Sequence, residues 1–257
     1  MSDSLLWAYC VLPVDRPGPD AVKRVEVDGL AALVRPVPRD EYGAEALRRN
    51  LNDLAWLERV ARSHESVLEQ AMAHATIVPL RICTLYESEE SVRHMLESEG
   101  DALRDALDFL AGRQEWGVKL LLDPERLAEE ARGQRDEPEP EGLGGSGAAY
   151  MLRRREERET RALASSLARQ LAEEVHTRLG ERALGAVTRP PQNRELSGHD
   201  GEMVLNAAYL VEAERAGELS ELVSELEAEH AELGARLELT GPWPPYNFVP
   251  AGTAAHE

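Results

Sequence analysis

Lysine is almost absent from this chain. Lys23 and Lys119 stand alone, and every other one of its 29 basic residues is arginine. Arginine keeps its charge and pairs with carboxylates through a planar fork, whereas Schiff-base chemistry needs a lysine amine. Two lysines leave little room for that chemistry. Cysteine is equally scarce: Cys10 and Cys83 are the only two. Each lies inside an apolar run, which predicts two buried free thiols rather than a disulfide. No run approaches the roughly 20 consecutive apolar residues of a membrane span. The opening Met1-Ser2-Asp3-Ser4 lacks the basic and apolar regions of a leader peptide, so a cytoplasmic location is expected.

What is abundant is negative charge. There are 48 acidic against 29 basic side chains, a formal net charge of −19, spread over both halves of the sequence. Phosphate backbones reward clustered Lys and Arg, so this distribution argues against nucleic acid as a partner. It argues equally against an anionic membrane surface. With 257 residues and 42% apolar side chains, the chain has enough material for two cores.

Periodicity places the elements. Leu5 to Val14 is a short apolar run ended by Pro13 and Arg16-Pro17-Gly18-Pro19, which reads as a strand and a loop. Val25–Val27 and Leu30–Val37 form a second strand region around the turn signal Asp28-Gly29. From Glu45 the period changes. Leu47, Leu51, Leu54, Leu57, Ala61, His64, Leu68 and Ala71 mark one face of a long helix. Ile77–Tyr86 returns to strand, Ser88 to Gly112 reads as a second helix weakened at Gly100, and Trp116–Leu122 is a further strand. The order strand, strand, helix, strand, helix, strand predicts an α+β layer with an antiparallel, ferredoxin-like sheet and helices on one face. The first crossover helix of that topology is missing.

The stretch from Arg132 to Ala149 carries an acidic-proline run and then Gly144-Gly145-Ser146-Gly147, with almost nothing to bury. The expected domains are therefore 1–130, a linker at 131–149, and a smaller C-terminal α+β domain at 150–257. The second domain opens on a long helix to Leu179, whose Leu163, Leu167, Leu171, Val175 and Leu179 form an apolar stripe. Strands at Leu184–Thr188 and Met203–Glu212, a helix at Glu218–Leu233 and a last strand stopping at Gly241 complete it. Three prolines then interleave with Trp243, Tyr246 and Phe248. Proline fixes φ and removes a donor, so this tail runs extended. Its rings are expected to close the second sheet and cap the second core, in preference to serving as a Pro-x-x-Pro ligand through Pro242 and Pro245.

Catalytic constellations are not found. The seven histidines are scattered without metal-ligand spacing, so no metal or cofactor is expected. His64 falls on the apolar stripe and reads as a core histidine. Cys83, beside Arg81, is the only thiol near a charge able to activate it, although a strand cysteine between Ile82 and Leu85 is ordinarily filler. With 48 carboxylates, any acid–base pair could be proposed, so none carries a signal.

Four segments carry a family resemblance. They are Leu239-Thr240-Gly241-Pro242-Trp243-Pro244-Pro245-Tyr246-Asn247-Phe248, Asp53-Leu54-Ala55-Trp56-Leu57 through His64-Glu65, Val78-Pro79-Leu80-Arg81, and Glu115-Trp116-Gly117-Val118-Lys119. In this order they resemble the gas vesicle accessory proteins F and L. The chain departs from the family at Ile82-Cys83-Thr84, where Phe-Gly-Thr is usual. Losing that glycine suggests that close backbone approach is not needed there, or is achieved differently.

The resemblance implies a non-enzymatic role in building gas vesicles. It implies an assembly factor or a minor structural component of the vesicle that binds the small, very hydrophobic shell protein, protects that client from aggregation and contacts other accessory proteins, without a small-molecule substrate. Candidate contact residues are Trp7, Leu33 on the edge near Leu30–Val37, Trp56, Trp116, Trp243, Tyr246 and Phe248. Two other readings stay open: a small-molecule-binding regulator using paired ferredoxin-like domains, and an enzyme using Cys83.

Overall fold

The computed structural model describes residues 3–134, 147–190 and 201–249. The chain divides into two compact units. Met1–Gln114 with the tail from Pro244 forms one, and Glu115–Trp243 the other.

The first unit holds strands β1 (Ser4–Pro13), β2 (Lys23–Val27), β3 (Leu30–Pro38) and β4 (Val78–Tyr86) in the order β2-β3-β1-β4, with antiparallel neighbours. This is the ferredoxin-like strand order, with a loop in place of the first crossover helix. Asp28 and Gly29 both take positive φ, the geometry of the tight turn that the Asp-Gly pair announces.

Trp7 to Leu12 and Leu30 to Val34 are buried without alternation, which requires cover on both faces of the sheet. On one face, Leu5, Trp7, Tyr9, Leu12, Ala31 and Leu33 pack with Val60, Val67, Leu68 and Ala71 of α3 (Leu54–Met72). The opposite face is covered by α4 (Glu89–Ser98) and α5 (Gly100–Leu110), which bury Val92, Leu96, Leu103, Ala106 and Leu110 and contact all four strands between them. The sequence patterning placed helices on one face only, because an apolar run buried on both sides cannot be told from one buried on one side by composition.

The long helix expected from Glu45 is interrupted. After the short α1 (Arg39–Tyr42) and α2 (Ala44–Asn50), Asp53 restarts the chain as the N-cap of α3, accepting from the Ala55 and Trp56 amides at 3.0 and 3.3 Å. Such a cap contributes about 1 kcal/mol. The restart shifts the helix phase: Trp56, Val60, His64, Val67 and Ala71 face the core, while Leu54 is 82% exposed.

In the second unit the sheet order is β6-β7-β5-β8, formed by β5 (Arg113–Leu122), β6 (Gly185–Thr188), β7 (Glu202–Glu212) and β8 (Arg236–Trp243). The domain boundary thus falls near 114, not at 130. β5 completes the second sheet by pairing antiparallel with β8, and non-local pairing of this kind leaves no mark in local sequence. Its inward residues Val118, Leu120 and Leu122 join Leu205, Ala207, Tyr209, Val211 and Leu237 against helices α6 (Pro124–Gly133), α7 (Gly147–Gly180) and α8 (Ala216–Glu229). The apolar stripe of α7 is buried from Leu171 to Leu179, with Leu163 and Leu167 half-buried. Helix α6 was not expected, although Asp123 caps it by accepting from the Glu125 amide at 2.8 Å and Pro124 opens it. Most of the stretch expected as a linker lies outside the described residues.

β8 continues past Gly241 to Trp243 through a register shift opposite Trp116. Gly241 has φ +132, and a Cβ there would lie 3.0 Å from the Glu115 carbonyl oxygen. The tail then leaves the second unit. Tyr246 packs with the first core, and its hydroxyl lies 2.9 Å from His64 Nε2. Only Trp243 remains on the second sheet, so the tail does not cap the second core as its sequence suggested.

His64 is a core histidine, 2% exposed and stacked with Trp7 and Tyr9 at ring distances of 5.5 and 5.4 Å. Nε2 also lies 3.1 Å from the Leu80 carbonyl, which can only accept, a contact that the Nε2-protonated tautomer satisfies. Nδ1 is buried and finds no protein partner among the described residues. Burial therefore holds the imidazole pKa down to about 4, the Leu80 bond opposing this only in part.

Between pH 6.5 and 4 the unfolded chain binds a proton that the folded unit refuses, so stability falls with acidification. The linkage predicts a loss of about 2 kcal/mol from pH 7.5 to pH 5, read from urea midpoints, with the His64→Phe chain losing less over that interval. Tyr246→Phe, which removes only the hydroxyl, is expected to cost about 1 kcal/mol at pH 7.5.

Candidate functional site

The register of β4 against β1 generates a groove on the surface of the first unit. Cys10 pairs with Pro79 and Ala8 with Thr84, so the segment Leu80–Cys83 stands opposite Tyr9 alone. On its other side Tyr9 has no counterpart, because Ala8 pairs with Val34 and Cys10 with the adjacent Leu33. The surplus backbone of β4 must leave the sheet. Thr84 Oγ1 donates to the Arg81 carbonyl at 2.7 Å and closes the excursion, and Cys83 adopts φ +62. This is the left-handed conformation that glycine takes without cost. The departure from Phe-Gly-Thr at this position has therefore not removed the glycine-like backbone; a cysteine carries it.

Leu80 turns inward and is fully buried, whereas Ile82 points outward and is 43% exposed. Because β4 is an edge strand, this excursion faces helix α4 across an open groove of about 880 Å³. Ile82, Cys83 and Leu85 supply apolar lining over the buried Met95, while Glu90, paired with Arg93 at 3.5 Å, Glu97 and Glu99 stand with Arg81 at the rim. Helix α4 is fixed at its start by Ser88, whose Oγ accepts from the Ser91 amide at 3.3 Å, and by the Lys23–Glu89 ion pair at 2.5 Å. Glu87 pairs with Arg39. Hydrogen bonds from these bases hold both Glu87 and Glu89 below the usual carboxylate range.

Burial pushes the Cys83 thiol up to about 11 and raises that of the fully buried Cys10 as well, with no cation opposing either shift. Both thiols are free. Elsewhere, Glu174, Glu229 and His230 bring two carboxylates and an imidazole together in the second unit. Arg178 already bonds Glu229 at 2.6 Å and approaches Glu174 at 3.6 Å, supplying the positive charge that those groups call for.

The residues singled out from sequence scatter. Trp7, Leu33 and Trp56 are core at 2%, 0% and 5% exposure, which removes them from any interaction surface of the folded protein. Trp56 nevertheless donates from Nε1 to Glu41 at 2.7 Å. Trp116 packs half-buried on the second core, and Trp243, at 43% exposure, donates from Nε1 to Thr240 Oγ1 at 3.1 Å. Tyr246 and Phe248 are half-buried in the first unit. None of them lines the groove. The sequence reading does not single out Ile82, Leu85 and Glu97; the available signal is an isoleucine between Arg81 and a non-glycine residue at the family's glycine position.

Comparison with known proteins places the whole chain. The family model described as gas vesicle synthesis protein GvpL/GvpF matches residues 5–250. Gas vesicle protein L of Streptomyces sp. (strain CB03234) is 37% identical over 220 residues, covering 86% of this chain and 80% of the relative. Gas vesicle protein F of the same strain is 26% identical over 250 residues, covering 90% and 89%. The crystal structure of the gas vesicle protein GvpF from Anabaena sp. PCC7120 superposes with a TM-score of 0.71 at 23% identity, covering 97% of both chains. That of GvpF from Microcystis aeruginosa gives 0.66 at 19% identity, covering 97% of this chain and all of the other.

Two measurements check the cysteine geometry. At pH 8 a thiol with this pKa should react with iodoacetamide on the order of 100-fold more slowly than an unperturbed one. Cys83→Val, which places a β-branched residue at positive φ, should cost roughly 1–2 kcal/mol more than Cys83→Gly in urea unfolding.

Proposed function

The chain belongs to the gas vesicle synthesis protein GvpL/GvpF family, and on that premise we propose that it is an assembly factor that binds the hydrophobic shell protein and keeps it from aggregating. The observation that carries the reading is an open groove with apolar side chains, set in the surface of a strongly acidic protein. An aggregation-prone client needs apolar contact while it waits for assembly, and the carrier itself must stay dispersed. Exposed Ile82 offers such contact, and a net charge of −19 provides mutual repulsion between carriers. The raised thiol pKa of Cys83 and the arginine-neutralised Glu174–Glu229–His230 group favour a binding role over a catalytic one. Other gas vesicle accessory proteins are natural further partners.

Co-expression of the shell protein with and without this chain tests the reading. The expected result is a larger soluble fraction of the shell protein, co-eluting with this chain on size exclusion. Unchanged solubility together with no co-elution would refute it.

A further inference from the structure

We propose that the groove between β4 and α4 is a helix-docking site whose occupant is an amphipathic helix with a short apolar stripe flanked by Lys or Arg. The assignment rests on the proposed function only in naming the shell protein as the natural source of that helix; the groove's own chemistry selects the occupant's form and charge.

Form comes first. An edge strand ordinarily invites a further strand, which would hydrogen-bond along its open backbone. Here the Leu80–Cys83 excursion interrupts the ladder and Cys83 takes a positive φ, leaving only short regular stretches on either side. A bulged edge of this kind blunts strand addition. What it offers instead is a side-chain-lined channel with exposed Ile82 and half-buried Leu85 on the β4 wall and exposed His94 and Glu97 on the α4 wall. An apolar stripe of residues three and four apart lies along the β4 wall, with its basic flanks turned towards the carboxylates of α4.

Charge comes second. The rim carries Glu90, Glu97 and Glu99 against Arg81 and against Arg93, which pairs with Glu90 at 3.5 Å, in a protein of net charge −19. An acidic helix would meet repulsion both at the rim and at long range, while a basic one is steered inward. Rim attractions act over about one Debye length, roughly 10 Å at 0.1 M salt, so docking should weaken as salt rises.

The test uses the full chain and a fluorescein-labelled 18-residue helical peptide with a Leu stripe and flanking Lys, followed by fluorescence anisotropy. An acidic counterpart with Glu for Lys serves as the charge control. The expected result is saturable binding of the Lys peptide at 0.1 M salt, at least ten-fold weaker binding of the Glu peptide, and loss of affinity towards 1 M salt. Ile82→Asp and Glu97→Lys should each weaken the Lys peptide at least ten-fold with an unchanged melting temperature. Both positions are exposed, and neither makes a core contact. No binding by the unmodified chain, or equal binding by both variants, overturns the assignment. Retention of the shell protein by the same variants separates the two questions. If the unmodified chain retains the peptide but not the shell protein, the groove stands and the client is wrong. If both variants retain the shell protein at full strength, the function stands and the groove is not where it acts.

Discussion

Tyr9 is the residue around which the first unit is arranged. It has no counterpart on β3 and the whole of Leu80–Cys83 opposite it on β4. Its strand is buried on both faces, so the mismatch cannot be relieved by moving β1. β4, at the edge, absorbs it. From that one constraint follow the left-handed Cys83, the outward Ile82 and the groove against α4. The ring of Tyr9 meanwhile stacks with Trp7 and His64 at 4.8 and 5.4 Å, fixing the strand to α3.

His64 extends the same arrangement to the chain's far end. Its Nε2 contacts both the Leu80 carbonyl, at the start of the excursion, and the Tyr246 hydroxyl. One imidazole therefore ties α3, β4 and the tail together across 182 residues of sequence. Its depressed pKa is the counterpart of that role, because a second proton would sit buried without a partner. The aromatic-proline tail is in this sense a structural closure of the first unit, which agrees with its value as an identifying mark and separates it from the candidate contact surface.

Much of the fold was legible. The Asp28-Gly29 turn, the ferredoxin-like order without its first helix, the buried half of the α7 stripe and the core position of His64 all follow from local pattern and burial chemistry. The differences have separate physical causes. Asp53 and Asp123-Pro124 are recognisable caps, yet periodicity outweighed them, so a helix break was overlooked and α6 was missed. The membership of β5 in the second sheet depends on pairing with β8, more than a hundred residues away, and no local signal encodes it. The tryptophans were poor guides to a surface because large aromatic side chains gain most from burial: Trp7 and Trp56 went inside.

The sequence by itself determined the class of protein, since composition, apolar patterning and the terminal Leu239–Phe248 segment act locally and accumulate along the chain. It also determined that the surface would be acidic, because charge is a sum over residues. Only the tertiary structure decided which apolar side chains face solvent. That outcome depends on registers: β1 against β3 and β4 leaves Ile82 outside and Leu80 inside, two residues apart on one strand. A shift of one residue would exchange such faces, and register is set by contacts distant in sequence.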